Sequence, residues 1–321
     1  MGSENIEKVS NWAEKLKTEI GRVILGKDPQ IEMILTALLC GGHILLEDVP
    51  GVGKTILARA LAAVMGGNVQ RIQGTPDLLP SDILGASVYN PQSGLFRFSR
   101  GPIFSQIILM DEINRTAPQC QAALLQAMEE GAVSLEGKSL SLGDFFLLIA
   151  TENPLDFEGT YELPQAQRDR FFLSLSLGYP DRKAEGAMLT EQNRLSHPVD
   201  DLKPVSSPKE LLSLRKLVEE VEVPLSLENR ILDITERSRK DERLELGASP
   251  RAARALYKGV QARAAIQGRP CAAHRDLTKL AVPVLRGKIK LSTPSLLSGL
   301  AKEDIIGALL SQTEVGELSH S

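Results

Sequence analysis

One short loop constrains the fold of this chain more than any other feature. The apolar run His43–Glu47 has the composition of a buried strand, and the Ala- and Leu-rich segment Thr55–Met65 has that of a helix. The loop between them, Asp48–Thr55, has the sequence DVPGVGKT. A strand, a glycine-rich loop that ends in Gly-Lys-Thr, and a helix, in that order, predict a phosphate-binding loop (P-loop).

Each residue type in the P-loop has a physical role. The backbone N–H groups of Gly51 through Thr55 are expected to surround phosphates at a helix N-terminus, where the helix dipole favours anions. Lys54 would neutralise the β- and γ-phosphate oxygens, and the hydroxyl of Thr55 would ligate Mg²⁺. The strict pattern has glycine at the position of Asp48. Aspartate adopts left-handed backbone angles more readily than most residues, so we expect the loop to form.

Two further motifs follow apolar strands and carry side chains suited to phosphate chemistry. The run Ile107–Glu112 (IILMDE) ends in two carboxylates, which a buried strand tolerates where its end meets a cation. Asp111 is expected to hold Mg²⁺, and Glu112 to polarise the attacking water as general base. Asn153 follows the strand Phe145–Ala150. If that strand lies beside the other two, Asn153 can orient the water.

The remaining segments predict the fold class. Short, nearly continuous apolar runs alternate with helical stretches, which indicates a parallel sheet covered on both faces. Two insertions, near 88–98 and 133–142, alternate around turn residues and predict β-hairpins. Beyond Tyr179-Pro180 the strand signal disappears, so we place a domain boundary near residue 185, with 195–207 as the linker. The predicted sheet strands are His43–Glu47, Val69–Ile72, Gln106–Met110, Phe145–Ala150 and Phe171–Leu175.

Several arginines are candidates for stabilising charge on a transferred phosphoryl group. Arg168 and Arg170 stand just before the last predicted sheet strand, and Arg251 lies in the first turn of a helix that begins at Ser249-Pro250. An arginine supplied across an interface can perform this role. On sequence alone, a surface ion pair is an equally good interpretation for each of them. Arg115 is a further candidate without an assigned role.

Composition excludes several other classes of protein. The three cysteines form no CxxC pair, so a disulfide framework or a structural zinc site is not expected, and a reducing compartment fits best. The N-terminus lacks the layout of a signal peptide, and no apolar run approaches the ~20 residues of a membrane-spanning helix. We therefore expect a cytoplasmic protein without a membrane span.

Charge leaves one alternative function open. Residues 251–290 hold ten basic side chains and one acidic side chain, Asp276, which keeps a nucleic-acid motor or loader as the alternative. However, the formal charge of the whole chain is −4 and aromatic residues make up only 4% of it. Few platforms for stacking bases are therefore available, and nucleic acid is the less favoured partner.

Five motifs occur in order along the chain: PGVGKT, the DE of IILMDEINR, ATENP, LPQAQRDRFF and GASPRAARAL. With this combination the chain resembles a MoxR-family AAA+ ATPase from Ile24 to about Leu300. The resemblance implies an α/β fold, the P-loop NTPase αβα sandwich with a five-stranded parallel sheet, over 1–185. An all-α lid domain over 186–321 would follow. The two hairpins match the family's helix-2 insert and pre-sensor-1 hairpin, which face the central pore of a ring.

The resemblance also implies roles for particular residues. Asn153 would be sensor 1, Arg170 the arginine finger acting on a neighbouring subunit, and Arg251 the sensor 2 that reaches ATP from the lid. Two residues depart from the family pattern. Glu152 stands where glutamine is expected and Arg168 where an apolar residue is usual, so whether Arg168 or Arg170 is the finger stays open.

The implied function is MgATP-dependent ATP hydrolysis by a homo-hexamer that acts as a chaperone. Such a protein matures or activates protein clients together with a protein carrying a von Willebrand factor A domain. Tyr89, Phe96 and Phe98 could grip a client or pack the base of the first hairpin. The expected catalytic residues are Glu112, Lys54, Asn153, Arg170 and Arg251. The residues expected to contact ATP are Pro50, Gly51, Val52, Gly53, Lys54, Thr55, Ile56, Asp111 and Arg251, with Thr55 and Asp111 binding Mg²⁺.

Overall fold

The computed structural model describes residues 3–49, 51–92, 94–135, 137–153, 159–191 and 198–318. Several sequence expectations fall on residues outside these ranges: Pro50 of the P-loop, Glu136 in the second hairpin, Pro154 of the ATENP motif and residues 195–197 of the linker. Within the described ranges, no helix is long and apolar enough to cross a membrane.

Strands and helices alternate through the first part of the chain, and helices dominate the rest. The strands are β1 Ile44–Glu47, β2 Val69–Gln73, β3 Gly85–Asn90, β4 Leu95–Arg100, β5 Ile107–Asp111, β6 Ala132–Leu135, β7 Lys138–Ser141, β8 Leu147–Glu152, β9 Leu173–Leu175, β10 Leu244–Leu246 and β11 Lys290–Leu291. The helices are α1 Ser3–Gly21, α2 Asp28–Leu39, α3 Lys54–Val64, α4 Pro80–Leu84, α5 Pro118–Glu130, α6 Gln165–Arg168, α7 Arg182–Glu191, α8 Pro208–Val218, α9 Leu225–Lys240, α10 Pro250–Ile266, α11 His274–Leu285, α12 Thr293–Leu297 and α13 Lys302–Leu318.

The central sheet has five parallel strands in the order β2-β5-β8-β1-β9. The middle strands are apolar along their length because both faces are covered: Ile107 of β5 lies in one hydrophobic core and Ile108 in the other. Since parallel strands end at the same edge, the residues that follow β1, β5 and β8 are neighbours. The P-loop, Asp111, Glu112 and Asn153 therefore share the carboxyl edge of the sheet.

One hydrophobic core is common to the sheet and to the helices of the C-terminal part. It contains Leu16 of α1, Leu46 of β1 and Leu256 of α10, each with no exposed surface. Helix α1 packs against α2, α3, α8 and α10. Trp12 on this helix donates a hydrogen bond from Nε1 to Oγ of Ser206 at 2.8 Å. The N-terminal helix thus stabilises the contact between the sheet and the lid helices.

Both predicted hairpins form, as β3–β4 and as β6–β7. The lid contains one pairing that the sequence did not predict, an antiparallel contact of β10 and β11 in which Leu244 lies opposite Leu291. These strands have three and two residues, which is too short to give a periodic signal. The sequence therefore predicted an all-α lid and missed them. The boundary near residue 185 stays a prediction.

Candidate nucleotide-binding site

The P-loop lies between β1 and α3, as the sequence predicts. Gly51 and Gly53 have φ of 86° and 92°, the left-handed backbone that favours glycine. Gly53 is also the N-cap of α3, and no described side chain caps this helix. The first backbone N–H groups of a helix form an anion-binding site. Lys54 stands at the same place, and its Nζ donates a hydrogen bond to the backbone O of Asp48 at 3.1 Å.

A cavity of about 310 Å³ opens at this helix N-terminus. Its walls come from the P-loop, from β2 and from the ends of β5 and β8. Of the other predicted ATP contacts, the half-buried Val52 side chain packs against the hydrophobic core, and Pro50 lies outside the described residues. The lining residues are Gly51, Gly53, Lys54, Thr55, Ile56, Arg71, Gln73, Asp111, Glu112 and Thr151.

Asp48 has a different role from the one that we expected. Its backbone does not adopt a positive φ, so tolerance of left-handed angles is not why aspartate stands there. Instead its carboxylate accepts hydrogen bonds from Oγ of Ser176 at 2.6 Å and from the backbone N of Leu177 and Gly178 at 2.6 and 3.1 Å. Asp48 therefore ties the start of the P-loop to the segment after β9.

Asp111 and Glu112 lie at the end of β5, on the wall of the cavity. Glu112 has φ 55° and ψ 53°, a left-handed conformation that no other described residue except glycine adopts. Strained backbone of this kind costs of order 1–3 kcal/mol and clusters at functional sites. Thr151 holds both residues, since its Oγ1 accepts from the backbone N of Glu112 at 2.9 Å and donates to Oδ1 of Asp111 at 3.3 Å.

Sequence reasoning missed two polar residues on β2. Arg71 donates from Nε to Oδ2 of Asp111 at 2.6 Å, and Gln73 donates from Nε2 to Oε2 of Glu112 at 3.0 Å. Arg71 Nη2 also donates to Oε1 of Gln73 at 2.8 Å, which links the two carboxylates through one strand. The alternation of Arg71 and Gln73 around buried Ile72 was a signal that could have placed both on one face of β2.

The residues present fit Mg²⁺, which prefers oxygen ligands and is held in nucleotide sites by one or two protein groups together with phosphates. The Thr55 hydroxyl and the Asp111 carboxylate both line the cavity. Asp111 is only 6% exposed, and it already accommodates a positive charge, the guanidinium of Arg71. Burial lowers the pKa of Lys54, against the opposing effect of the nearby carboxylates of Asp111, Asp48 and Glu112.

Arg168 is buried in an ion-pair network rather than exposed. Its guanidinium contacts the Glu47 carboxylate at 2.9 Å and the Glu152 carboxylate at 2.7 Å, and all three side chains are at most 13% exposed. Burial raises the pKa of Glu152, and the Arg168 charge opposes that rise. Arg286 of the lid completes the network with a contact of 3.0 Å to Glu47. The two departures from the family pattern, Glu152 and Arg168, therefore compensate each other, and half-buried Asn153 directly follows this network.

Arg170 and Arg251 lie together in a second cavity, of about 330 Å³. Both guanidinium groups pair with the carboxylate of Glu129, at the end of α5. The same cavity is lined by His43, which precedes β1, and by Phe172, which precedes β9. The two arginines are therefore at the amino edge of the sheet, opposite the P-loop.

Arg251 does not line the P-loop cavity of its own chain, although we expected it to reach ATP from the lid. The physical reason is the packing of α10, which begins with Ser249 as N-cap. Oγ of Ser249 hydrogen-bonds the carboxylate of Asp169 at 2.9 Å, and this fixes the start of α10 beside Arg170. A contact between Arg251 and ATP would therefore have to be made with another subunit.

Comparisons with known proteins identify the class to which this fold and site belong. Residues 43–173 match the profile described as ATPase family associated with various cellular activities (AAA), and residues 236–306 match the AAA lid domain. The chain is therefore an AAA+ ATPase with its lid, and the predicted fold class is confirmed.

Full-length relatives narrow this class to a family. The chain is 42% identical to the uncharacterized protein YeaC of Bacillus subtilis, with 94% of each chain covered. It is 34% identical to chaperone MoxR1 of Mycobacterium tuberculosis, over 96% of this chain and 84% of the relative. A crystal structure of a Cytophaga hutchinsonii protein superposes with a TM-score of 0.89 at 33% identity, covering 96% of both chains. The chain belongs to the MoxR family of AAA+ ATPases.

Proposed function

We propose that this chain is an MgATP-dependent ATPase that works as a ring of identical subunits and remodels protein clients. The observation that carries the proposal is the convergence of Lys54, Asp111 and Glu112 on one cavity at the N-terminus of α3. The left-handed backbone of Glu112 supports it, because such a conformation persists only where the surrounding structure enforces it.

The proposed roles follow from the chemistry of each group. The N–H groups of residues 51–55 and the Lys54 ammonium bind the phosphates, and Thr55 and Asp111 would hold Mg²⁺. Bound MgATP supplies the phosphoanhydride bond that water breaks. Glu112 polarises that water as general base, and Asn153 orients it from the end of β8.

The site is completed, in this proposal, by a neighbouring subunit. Arg170 and Arg251 are at the edge of the sheet opposite the P-loop, where they can face the P-loop of the next subunit in a ring. The buried ion pairs of Arg168 favour Arg170 as the finger, since the Arg170 side chain is 31% exposed and Arg168 only 13%. Specific activity should therefore rise with protein concentration, whereas a flat profile at nanomolar to micromolar subunit would contradict a shared site.

Glu112→Gln tests the catalytic assignment. We expect this variant to bind a fluorescent ATP analogue as the wild type does and to lose ATP turnover, because glutamine keeps the shape of the side chain but is no base. Glu130→Gln is the matched control, since Glu130 is exposed on α5 and its carboxylate accepts a hydrogen bond from Gln126 on the same helix. Full activity of Glu112→Gln would remove Glu112 from this role.

Protein clients are the proposed substrates, and the first hairpin is the proposed contact surface. Tyr89 and Phe96 pack against each other at 5.4 Å between ring centroids, yet they are 52% and 72% exposed. Phe98 instead packs against Phe104 at the hairpin base. An exposed apolar pair on a hairpin suits a client chain. A stalled Glu112→Gln ring with ATP should retain its clients in a pull-down, together with any partner protein that carries a von Willebrand factor A domain.

The basic stretch 251–290 gives little support to a nucleic-acid motor. Arg263 and Arg269 both pair with buried Asp276, and Lys290 pairs with Glu245. Because these three cations have acidic partners within the lid, the excess of basic residues in the stretch 251–290 does not by itself indicate a uniformly basic surface. A DNA or RNA titration at two salt concentrations would reveal nucleic-acid binding by its steep salt dependence. A hexameric ring and a cytoplasmic location stay predictions.

A further inference from the structure

A buried lysine from the lid binds the backbone on both sides of the proposed arginine finger. Lys288 follows α11, and its side chain is only 2% exposed. Its Nζ donates hydrogen bonds to the backbone O of Asp169 at 2.6 Å and to the backbone O of Phe171 at 2.5 Å. These two carbonyl groups flank Arg170, so a single ammonium group fixes the backbone before and after that residue.

The segment that carries Lys288 is itself held firmly against the sheet. The backbone O of Gly287 accepts from Nε2 of Gln165 at 2.8 Å. A Cβ at Gly287 would lie 2.2 Å from Oγ of Ser174 on β9, so the lid backbone approaches this strand as closely as glycine allows. Lys288 therefore enters the finger segment from a rigid part of the lid.

A second contact binds the same segment to the start of α10, the helix that carries Arg251. The Asp169 carboxylate accepts from Oγ of Ser249, the N-cap of the helix that carries Arg251, and lies 3.7 Å from Nζ of Lys288. Asp169 is thus held by two lid residues, Ser249 and Lys288. The two arginines and their supports form one connected unit.

From this geometry we infer that Lys288 is a positioning residue, which holds Arg170 where it can reach the phosphates bound by a neighbouring subunit. This inference rests on the proposed function of Arg170. Because Lys288 and Ser249 both belong to the lid, the packing of the lid on the sheet fixes the place of the finger.

Lys288→Met tests this inference, because methionine fills the buried space without donating a hydrogen bond. Arg170 would lose its placement while the P-loop of the same chain stays intact. We expect kcat to fall about ten- to hundred-fold, the cost of a small misplacement, with the affinity for a fluorescent ATP analogue unchanged. Lys288→Arg, which keeps a cationic donor, should recover most of the kcat, and Lys290→Met, an exposed position outside the site, should leave it unchanged.

Mixing subunits separates positioning from simple loss of stability. Lys288→Met subunits keep a functional P-loop, but their Arg170 is not held in position. Lys54→Ala subunits have a non-functional P-loop but keep Arg170 in position. Mixing the two should restore activity, whereas mixing Lys288→Met with Arg170→Ala should not. If Lys288→Met does not fold, Ser249→Ala, which removes the hydrogen bond from Ser249 to Asp169, should show the same complementation.

Three results would overturn the inference while leaving the proposed ATPase intact. These are wild-type kcat in a folded Lys288→Met variant, weakened ATP binding by it, or failure of Lys54→Ala subunits to restore its activity. Failure of the proposed function itself has a different signature, since the wild type would then not hydrolyse ATP or Arg170→Ala would remain fully active.

Discussion

Replacing Arg168 by leucine should destabilise the protein strongly, and a second substitution should reverse most of the loss. Glu47 and Glu152 are opposite each other on neighbouring strands, with side chains 11% and 8% exposed, and Arg168 lies between their carboxylates. Breaking a buried pair by removing one partner costs about 3–5 kcal/mol. Because Arg286 still contacts Glu47, we expect the lower end, a loss of about 3 kcal/mol.

The second substitution is Glu152→Gln, which removes one of the two facing carboxylates. In the Arg168→Leu background it should recover about 2 kcal/mol, because a neutral amide next to leucine costs less than an unpaired charge. In the wild-type background the same change leaves Arg168 with Glu47 alone and should be mildly destabilising. The difference between the effects of Glu152→Gln in these two backgrounds is the interaction free energy between residues 168 and 152.

This double-mutant cycle is measured by thermal melting, without nucleotide, of the wild type, Arg168→Leu, Glu152→Gln and the double variant. A loss of about 3 kcal/mol lowers Tm by about 4–5 °C in a protein of this size. Arg243→Leu, which breaks a more exposed pair with Asp241, is the control and should shift Tm far less. The reasoning is refuted if Arg168→Leu melts like the wild type, or if Glu152→Gln adds its own loss instead of restoring stability.

Two further predictions concern the backbone at Glu112 and the buried imidazole. A Cβ at Gly74 would lie 2.1 Å from the backbone O of Glu112. Gly74→Ala should therefore displace Glu112 and lower kcat at least about ten-fold. Gly186→Ala is the control, since a Cβ there meets open space, and it should leave kcat unchanged. Burial lowers the pKa of His43 to about 4 from 6.5, so the unfolded chain binds the extra proton. Unfolding free energy should therefore fall by about 2 kcal/mol from pH 7 to pH 5 in urea titrations, and His43→Gln should flatten this dependence.

The sequence was sufficient for those parts of the fold that depend on local patterns. Four of the five sheet strands, β1, β5, β8 and β9, are buried and largely apolar, and glycines at positive φ mark the P-loop, so both could be predicted from residue type. Because the carboxyl ends of parallel strands meet at one edge of the sheet, the sequence also predicted that Lys54, Asp111 and Glu112 lie close together.

Interactions between distant segments were beyond sequence reasoning. Asp48 was assigned a backbone role, but its carboxylate binds residues more than a hundred positions away. Arg251 was expected to reach ATP from the lid, but which subunit's ATP it could reach depends on the contact of Ser249 with Asp169, which holds it at the edge of the sheet opposite the P-loop. Such positions depend on how the lid packs on the sheet, which no local pattern specifies.

The central claim is that each ATP site is shared between two subunits, and a mixing experiment tests it most directly. Lys54→Ala and Arg170→Ala should each be nearly inactive alone. Mixed in equal amounts, they should regain about one quarter of the wild-type rate, because random assembly pairs an intact P-loop with an intact finger at about one interface in four. A mixture that assembles but stays as inactive as its components would contradict the account.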